Sequence, residues 1–176
     1  MRYNSCLKTP EIELRALETS DLELLYEWEN CTGLWSVGCT TTPFSREVLR
    51  EYIANAHLDI YSVKQLRLMI ESTEHAKTVG MIDLYDFDPL HSRAGLAIFI
   101  AKDFCGKHFA RKAIDCMLHY CKEQILLHQI YAEVPETNDA SIALFRSCGF
   151  THTCTKIDWL KRASGFENVV VFQKIL

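Results

Sequence analysis

The chain has 176 residues, enough for one domain with a substantial core and short for two. Apolar residues make up 48% and charged residues 24%, and the net charge of −4 is spread without blocks, so no basic footprint for nucleic acid exists. No charged-then-apolar leader and no bilayer-length apolar run occurs, so the expectation is a cytoplasmic protein without a membrane partner.

In chain order, Glu11-Ile12-Glu13-Leu14-Arg15-Ala16-Leu17 alternates polar and apolar residues as a half-buried first strand does. Thr19-Ser20-Asp21 offers an N-cap, with Glu23 in the first turn, for a helix through Leu22, Leu24, Leu25, Tyr26 and Trp28. Residues 31–43 carry Gly, Thr and Pro without a period, which predicts a loop bearing Trp35. Ser45 caps a second predicted helix with Val48, Leu49, Tyr52, Ile53 and Ala56 on one face. Gln65 to Glu71 reads as a strand, Ser72-Thr73-Glu74-His75 as a turn and Lys77 to Tyr85 as the hairpin partner. A further turn, containing Asp88-Pro89, is predicted over residues 86–93.

Ala94-Gly95-Leu96-Ala97-Ile98-Phe99-Ile100 is a short apolar run that suits a buried strand. Beyond it, Phe109, Ala110, Ala113, Ile114, Met117, Leu118 and Cys121 recur at helical spacing. The turn between them, Cys105-Gly106-Lys107-His108, has what an anionic phosphate needs: free amides at a helix start, the positive end of the helix dipole, and Lys107, Arg111 and Lys112 close by. A strand, a Gly-bearing turn and a helix also occur in proteins that bind nothing there. Gln129 to Val134 alternates as another strand, Thr137-Asn138-Asp139 caps a short helix stopped at Gly149, and residues 151–160 and 168–176 close the sheet as a hairpin across Ser164-Gly165. The eight cysteines lack Cys-x-x-Cys or Cys/His spacing, so free thiols and no metal site are expected.

The turn and helix start resemble the acetyl-CoA motif of the GNAT superfamily of N-acetyltransferases, Gln/Arg-x-x-Gly-x-Gly/Ala, laid on Cys105-Gly106-Lys107-His108-Phe109-Ala110. Cys105 stands where Gln or Arg is usual and His108 where the central Gly is usual. The run Asn138 to Phe150 resembles the superfamily's Asn-x-x-(Ala/Ser)-x-x-x-(Tyr/Phe)-x-x-x-Gly-Phe signature. Leu14-Arg15, Leu17, Asp21-Leu22, Leu25 and Trp28 are similar to the opening of the ribosomal-protein and spermidine acetyltransferase branch. The resemblance covers nearly the whole chain from Ile12. It implies one α/β (α+β) domain over 1–176 with the GNAT fold, a mixed, mostly antiparallel twisted sheet flanked by helices in the order βααβββαβαββ.

The same resemblance implies transfer of an acetyl group from acetyl-CoA, without a metal, to a primary amine: a polyamine such as spermidine, or a protein N-terminus. A homo-oligomer is compatible with it. The main chain of Ile98, Phe99 and Ile100 is expected to meet the pantetheine arm, Cys105 to Arg111 the pyrophosphate, and Asn138 the thiol end. Glu29, Asn30, Trp35 and Tyr85 are the implied acceptor contacts. Relatives often have a carboxylate where Gly95 stands, so Asp83 and Glu133, on neighbouring strands, are the candidate bases, or no base is needed. Phe145 occupies the position at which relatives commonly carry a proton-donating Tyr, which opens an alternative: a catalytically weak acyl-CoA-binding module with a degenerate site. A covalent acetyl-Cys105 is the rival mechanism, although the motif puts that thiol at the pyrophosphate. At His108 a negative φ that tolerates the side chain is expected, the other outcome being a strained turn.

Overall fold

The computed structural model describes residues 6–31 and 42–176. Seven strands form one sheet in the order β1-β2-β3-β4-β5-β7-β6. β1 (Ile12–Arg15), β2 (Leu66–Ser72), β3 (Lys77–Asp88) and β4 (Arg93–Ile100) are joined antiparallel in sequence order. β5 (Gln129–Pro135) runs parallel to β4, as its crossover through a helix requires, and β7 (Gly165–Ile175) pairs antiparallel with both β5 and β6 (Thr151–Arg162). The predicted architecture is the observed one.

Strand alternation divides the core between the two faces. Leu68, Ile70, Ile82, Leu84, Leu96, Ile130 and Ala132 face α4 (Phe109–Glu123) and α5 (Asp139–Ser147) in the larger cluster. Met69 and Met81 point the other way, onto Leu25 and Trp28 of α1 (Leu22–Glu29) and Leu49 and Ile53 of α2 (Arg46–Ala54). Ser45 caps α2 by accepting from the Val48 N–H, and Asn138 caps α5 by accepting from the Ser141 N–H at 3.1 Å.

The structure corrects three local readings and adds one element. Thr19 to Asp21 is a 3₁₀ turn, and the Asp21 side chain makes no cap to α1; it accepts instead from the Glu18 N–H and two guanidinium nitrogens of Arg15. A one-turn helix, α3 (Ile60–Val63), capped by Asp59, is too short to show a period in sequence. β3 continues past Tyr85 to Asp88 through a register shift with Asp86 at φ +48°, so the predicted turn is partly a bulge. β6 and β7 likewise extend to Arg162 and from Gly165.

The feature that makes room for a ligand is a failure of pairing. β4 and β5 touch only through Arg93–Gln129, Ala94–Ile130 and Gly95–Tyr131. Beyond Gly95, β4 pairs only with β3, and beyond Tyr131, β5 pairs only with β7. Among the described residues no helix is long and apolar enough to cross a membrane.

Candidate active site

The parting of β4 and β5 opens a cavity of about 510 Å³ lined by Leu96, Ala97, Ile98 and Phe99 on one side and Glu133, Val134 and Pro135 on the other. By strand parity Asp83, Tyr85, Ala97, Phe99 and Glu133 belong to the face that carries α1 and α2, whereas Asn138, Ser141 and Phe145 reach the cavity from α5 on the opposite face. A ligand in the gap is thus approached from both faces of the sheet.

On the α1 side the dominant feature is Arg67, which no sequence motif marks. Its Nε and Nη2 donate to the two oxygens of Asp83 at 2.7 and 2.9 Å, and its Nη1 donates to Glu29. The three side chains are only 14%, 16% and 18% exposed, so the guanidinium is what allows two carboxylates to share one cavity wall. Burial alone would lower the Arg67 pKa, but the field and hydrogen bonds of Asp83, with Tyr52 and Glu29, hold it well above its ordinary value. Glu29 and Asp83 both line the cavity, and Asp83 has both oxygens committed to Arg67. Asn30 does not: its amide donates to the carbonyls of Tyr26 and Phe44 and accepts from the Phe44 N–H. It ties the last turn of α1 to the segment entering α2. Trp35 lies outside the described residues.

Tyr85 fills the space above Gly95, where a Cβ would stand 2.3 Å from its ring, and meets Tyr131 edge-on at 5.7 Å. The missing side chain at 95 is what admits the phenol. Burial first, then the charges of its neighbours Tyr131, Glu133 and Asp86, raises the Tyr85 pKa, so it stays a protonated donor. Tyr131, hydrogen-bonded to Asp86 at 3.4 Å, is pushed up to about 12, chiefly by burial. Glu133 pairs with Lys156 at 2.5 Å.

On the other face Phe145 is 4% exposed, stacked on Phe172 at 6.2 Å and edge-on to Phe150 at 5.1 Å, with its ring on the cavity. The Asn138 side-chain oxygen is spent on its cap. Further along, Gly106 at φ +77° and His108 at φ +63° wind the chain into α4. The negative φ expected at 108 is wrong: the backbone takes the left-handed conformation suited to Gly although a side chain is present. Lys112 is turned to Glu11 at 2.7 Å and Arg111 lies 3.8 Å from Asp115, while Lys107 rides over Phe104 at 5.2 Å. Phe109 is a core side chain, 7% exposed, so only its main chain could meet a ligand. Ile100 packs against the larger core, and the Cys105 thiol lies against the carbonyls of Ile100 and Ala101, outside the cavity lining.

These features fit acetyl-CoA. The edge of β4 facing the gap has no strand on it among the described residues, the amides of the first turn of α4 have no carbonyl behind them, and a Cβ at Gly106 would meet nothing within 4 Å. Among the described residues no cluster of His, Cys, Asp or Glu could hold a metal ion.

Comparison with known proteins agrees with this geometry. The model of the acetyltransferase (GNAT) domain matches residues 11–151. A spermidine N(1)-acetyltransferase of Vibrio cholerae serotype O1 is 30% identical over 140 residues, 80% of this chain and 79% of that one. A putative ribosomal N-acetyltransferase of Bacillus subtilis, YdaF, is 25% identical, covering 98% of this chain and 94% of its own. In fold, the crystal structure of a Vibrio cholerae spermidine N-acetyltransferase in complex with CoA and spermine superimposes with a TM-score of 0.85 at 24% identity, over 95% of this chain and 96% of that one. The open seam between β4 and β5, the phosphate-ready turn and the family match together identify the chain as a member of the GNAT acetyltransferases, an N-acetyltransferase whose co-substrate is acetyl-CoA.

Proposed function

We propose that the acceptor is a polyamine of the spermidine class, acetylated on a primary amine by direct attack in a ternary complex. The observation that carries this reading is the set of three carboxylates, Glu29, Asp83 and Glu133, on the α1 face of the cavity, which outnumber by one the cations paired with them, Arg67 and Lys156. Alkylammonium groups are what such a wall attracts. Bound acetyl-CoA supplies an electrophilic thioester carbonyl and a thiolate leaving group. The free edge of β4 at Ile98, Phe99 and Ile100 offers main-chain groups to orient the pantetheine arm, and residues 105–111 offer amides and cations to the pyrophosphate. Asp83, held at both oxygens by Arg67, serves binding, and Glu133 takes the proton of the incoming ammonium, directly or through a water. The Tyr85 hydroxyl, kept protonated, is a donor available to the same space. The Cys105 thiol, directed at two main-chain carbonyls, supports direct attack over an acetyl-cysteine. A cytoplasmic location and a homo-oligomer belong to this reading, and sedimentation of the native chain would test the latter.

The buried ring of Phe145, with no proton to give, favours a second reading as a weak acyl-CoA-binding module. One experiment separates them: acetyl-CoA with spermidine, monoamines and N-terminal peptides, followed by release of free thiol. Turnover of spermidine above the others is expected. Thermal stabilisation by acetyl-CoA with no turnover of any amine would favour the binding module, and preferential turnover of peptides would overturn the polyamine assignment.

A further inference from the structure

In a regular strand, residues three apart face opposite sides of the sheet. Lys156 and Trp159 do not, because β6 is bulged: Lys156 pairs with Val169 and Leu160 with Glu167, so residues 157–159 stand opposite Asn168 alone. Asp158 takes φ +50° in the bulge, its N–H donates to the Asn168 side chain at 2.9 Å, and that side chain donates in turn to Glu136 at 2.9 Å. The result brings Trp159, 57% exposed, to the cavity wall, with the Lys156 ammonium 4.4 Å from the centre of its ring and 2.5 Å from Glu133.

A carboxylate on one side and an indole face on the other form a seat for an alkylammonium ion. The ion in it is an alkylammonium: a lysine side chain is a chain of methylenes ending in the same group as an aliphatic polyamine. We propose that Lys156 is a tethered stand-in for the acceptor, occupying the ammonium seat between Glu133 and Trp159 until a substrate amine displaces it. The inference rests on the amine-acceptor reading above. Lys156 then sets specificity by competition: an acceptor must outbid an ammonium already in place, which a polycation does and a neutral molecule of the same shape does not. The seat also holds Glu133 against a cation whenever no acceptor is present.

The test is calorimetric titration of 1,4-diaminobutane, with 1,4-butanediol as the uncharged control, into the wild type, Lys156→Met, Lys156→Arg and Trp159→Leu at low salt. Removing the tethered cation by Lys156→Met is expected to tighten diamine binding about three- to tenfold, the size of one exposed ion pair together with one exposed cation–π contact. Lys156→Arg, which pairs and stacks better than lysine, is expected to weaken binding, as is Trp159→Leu; butanediol should not discriminate among them. Equal or weaker diamine binding by a folded Lys156→Met protein would overturn the proposal, and recovery of a weakened value in the Arg variant would show a structural lysine. Because the readout is binding without acetyl-CoA, it is separate from the functional reading. A binding contrast without turnover of any amine sustains the seat and sinks the polyamine assignment, and turnover without the contrast does the reverse.

Discussion

Replacing His108 by Gly perturbs one backbone conformation and little else, because the imidazole makes no cap hydrogen bond and the residue is exposed. At φ +63° a non-Gly side chain stores about 1–2 kcal/mol of strain, which Gly removes. Against this, Gly adds about 0.5–1 kcal/mol of unfolded-chain entropy that folding must overcome. The net expectation is a variant more stable by about 0.5–1 kcal/mol, a rise of roughly 1–4 °C in melting temperature for a chain of this size. His108→Ala keeps the strained geometry with a Cβ and should melt within about a degree of wild type. Since the turn already has its glycine-like path, acetyl-CoA affinity should change less than about threefold in either variant. Thermal unfolding with and without acetyl-CoA measures all three quantities. A Gly variant no more stable than the Ala variant would refute the strain argument, and a tenfold gain in affinity would show that the imidazole obstructs the phosphate site.

Phe145→Tyr places a hydroxyl on a ring that already lines the cavity, and should raise kcat with little change in KM if the leaving thiolate lacks a proton donor; an unchanged kcat would assign that proton to Tyr85 or to water. Asp21→Asn should cost about 2 kcal/mol near pH 7, less than a fully buried pair because the Arg15 side chain keeps 25% exposure. Burial opposes ionisation of Asp21, but Arg15 and the Glu18 N–H outweigh it and hold the carboxyl below its ordinary range. That stability is therefore complete above the unfolded value of about 3.9 and is lost as pH falls through the lower folded value. Denaturant titrations of both proteins should converge in that acid window, and a gap that persists there would show a packing loss instead.

Legibility in the sequence followed the range of the interaction concerned. The strand of residues 94–100, α4 and the Asn138 cap arise from periodicity and from partners within a few residues, so the chain announces them. The Arg67 clamp is different: its partners lie 16 and 38 residues away, and within β2 an arginine reads as an ordinary solvent-facing residue. The Asn30 clasp is equally silent in the sequence, since Phe44, which its amide holds, is 14 residues distant. The Lys156–Trp159 pairing was hidden because it depends on a bulge, and an alternating pattern carries no sign of one. Left-handed backbone at His108 had a faint signal, the family's glycine at that position, which the side chain actually present argued against.

The three-residue seam between β4 and β5 also has a mechanical meaning. Together with the bonds from the His128 and Gln129 N–H groups to the Ser92 carbonyl just before it, it joins the two described halves of the sheet at one end of the opening. From Gly95 to Ile100 β4 runs five residue steps, about 17 Å at roughly 3.3 Å each, so a rotation of about 5° at the seam would carry the far end of the strand about 1.4 Å. Antiparallel pairing fixes the registers within each arm, so such a rotation alters the width of the mouth without unmaking a single ladder. The sheet is in this respect a lever with its fulcrum at Gly95 and Tyr131, and ligand-dependent changes in the protein's dimensions should grow with distance from that pair.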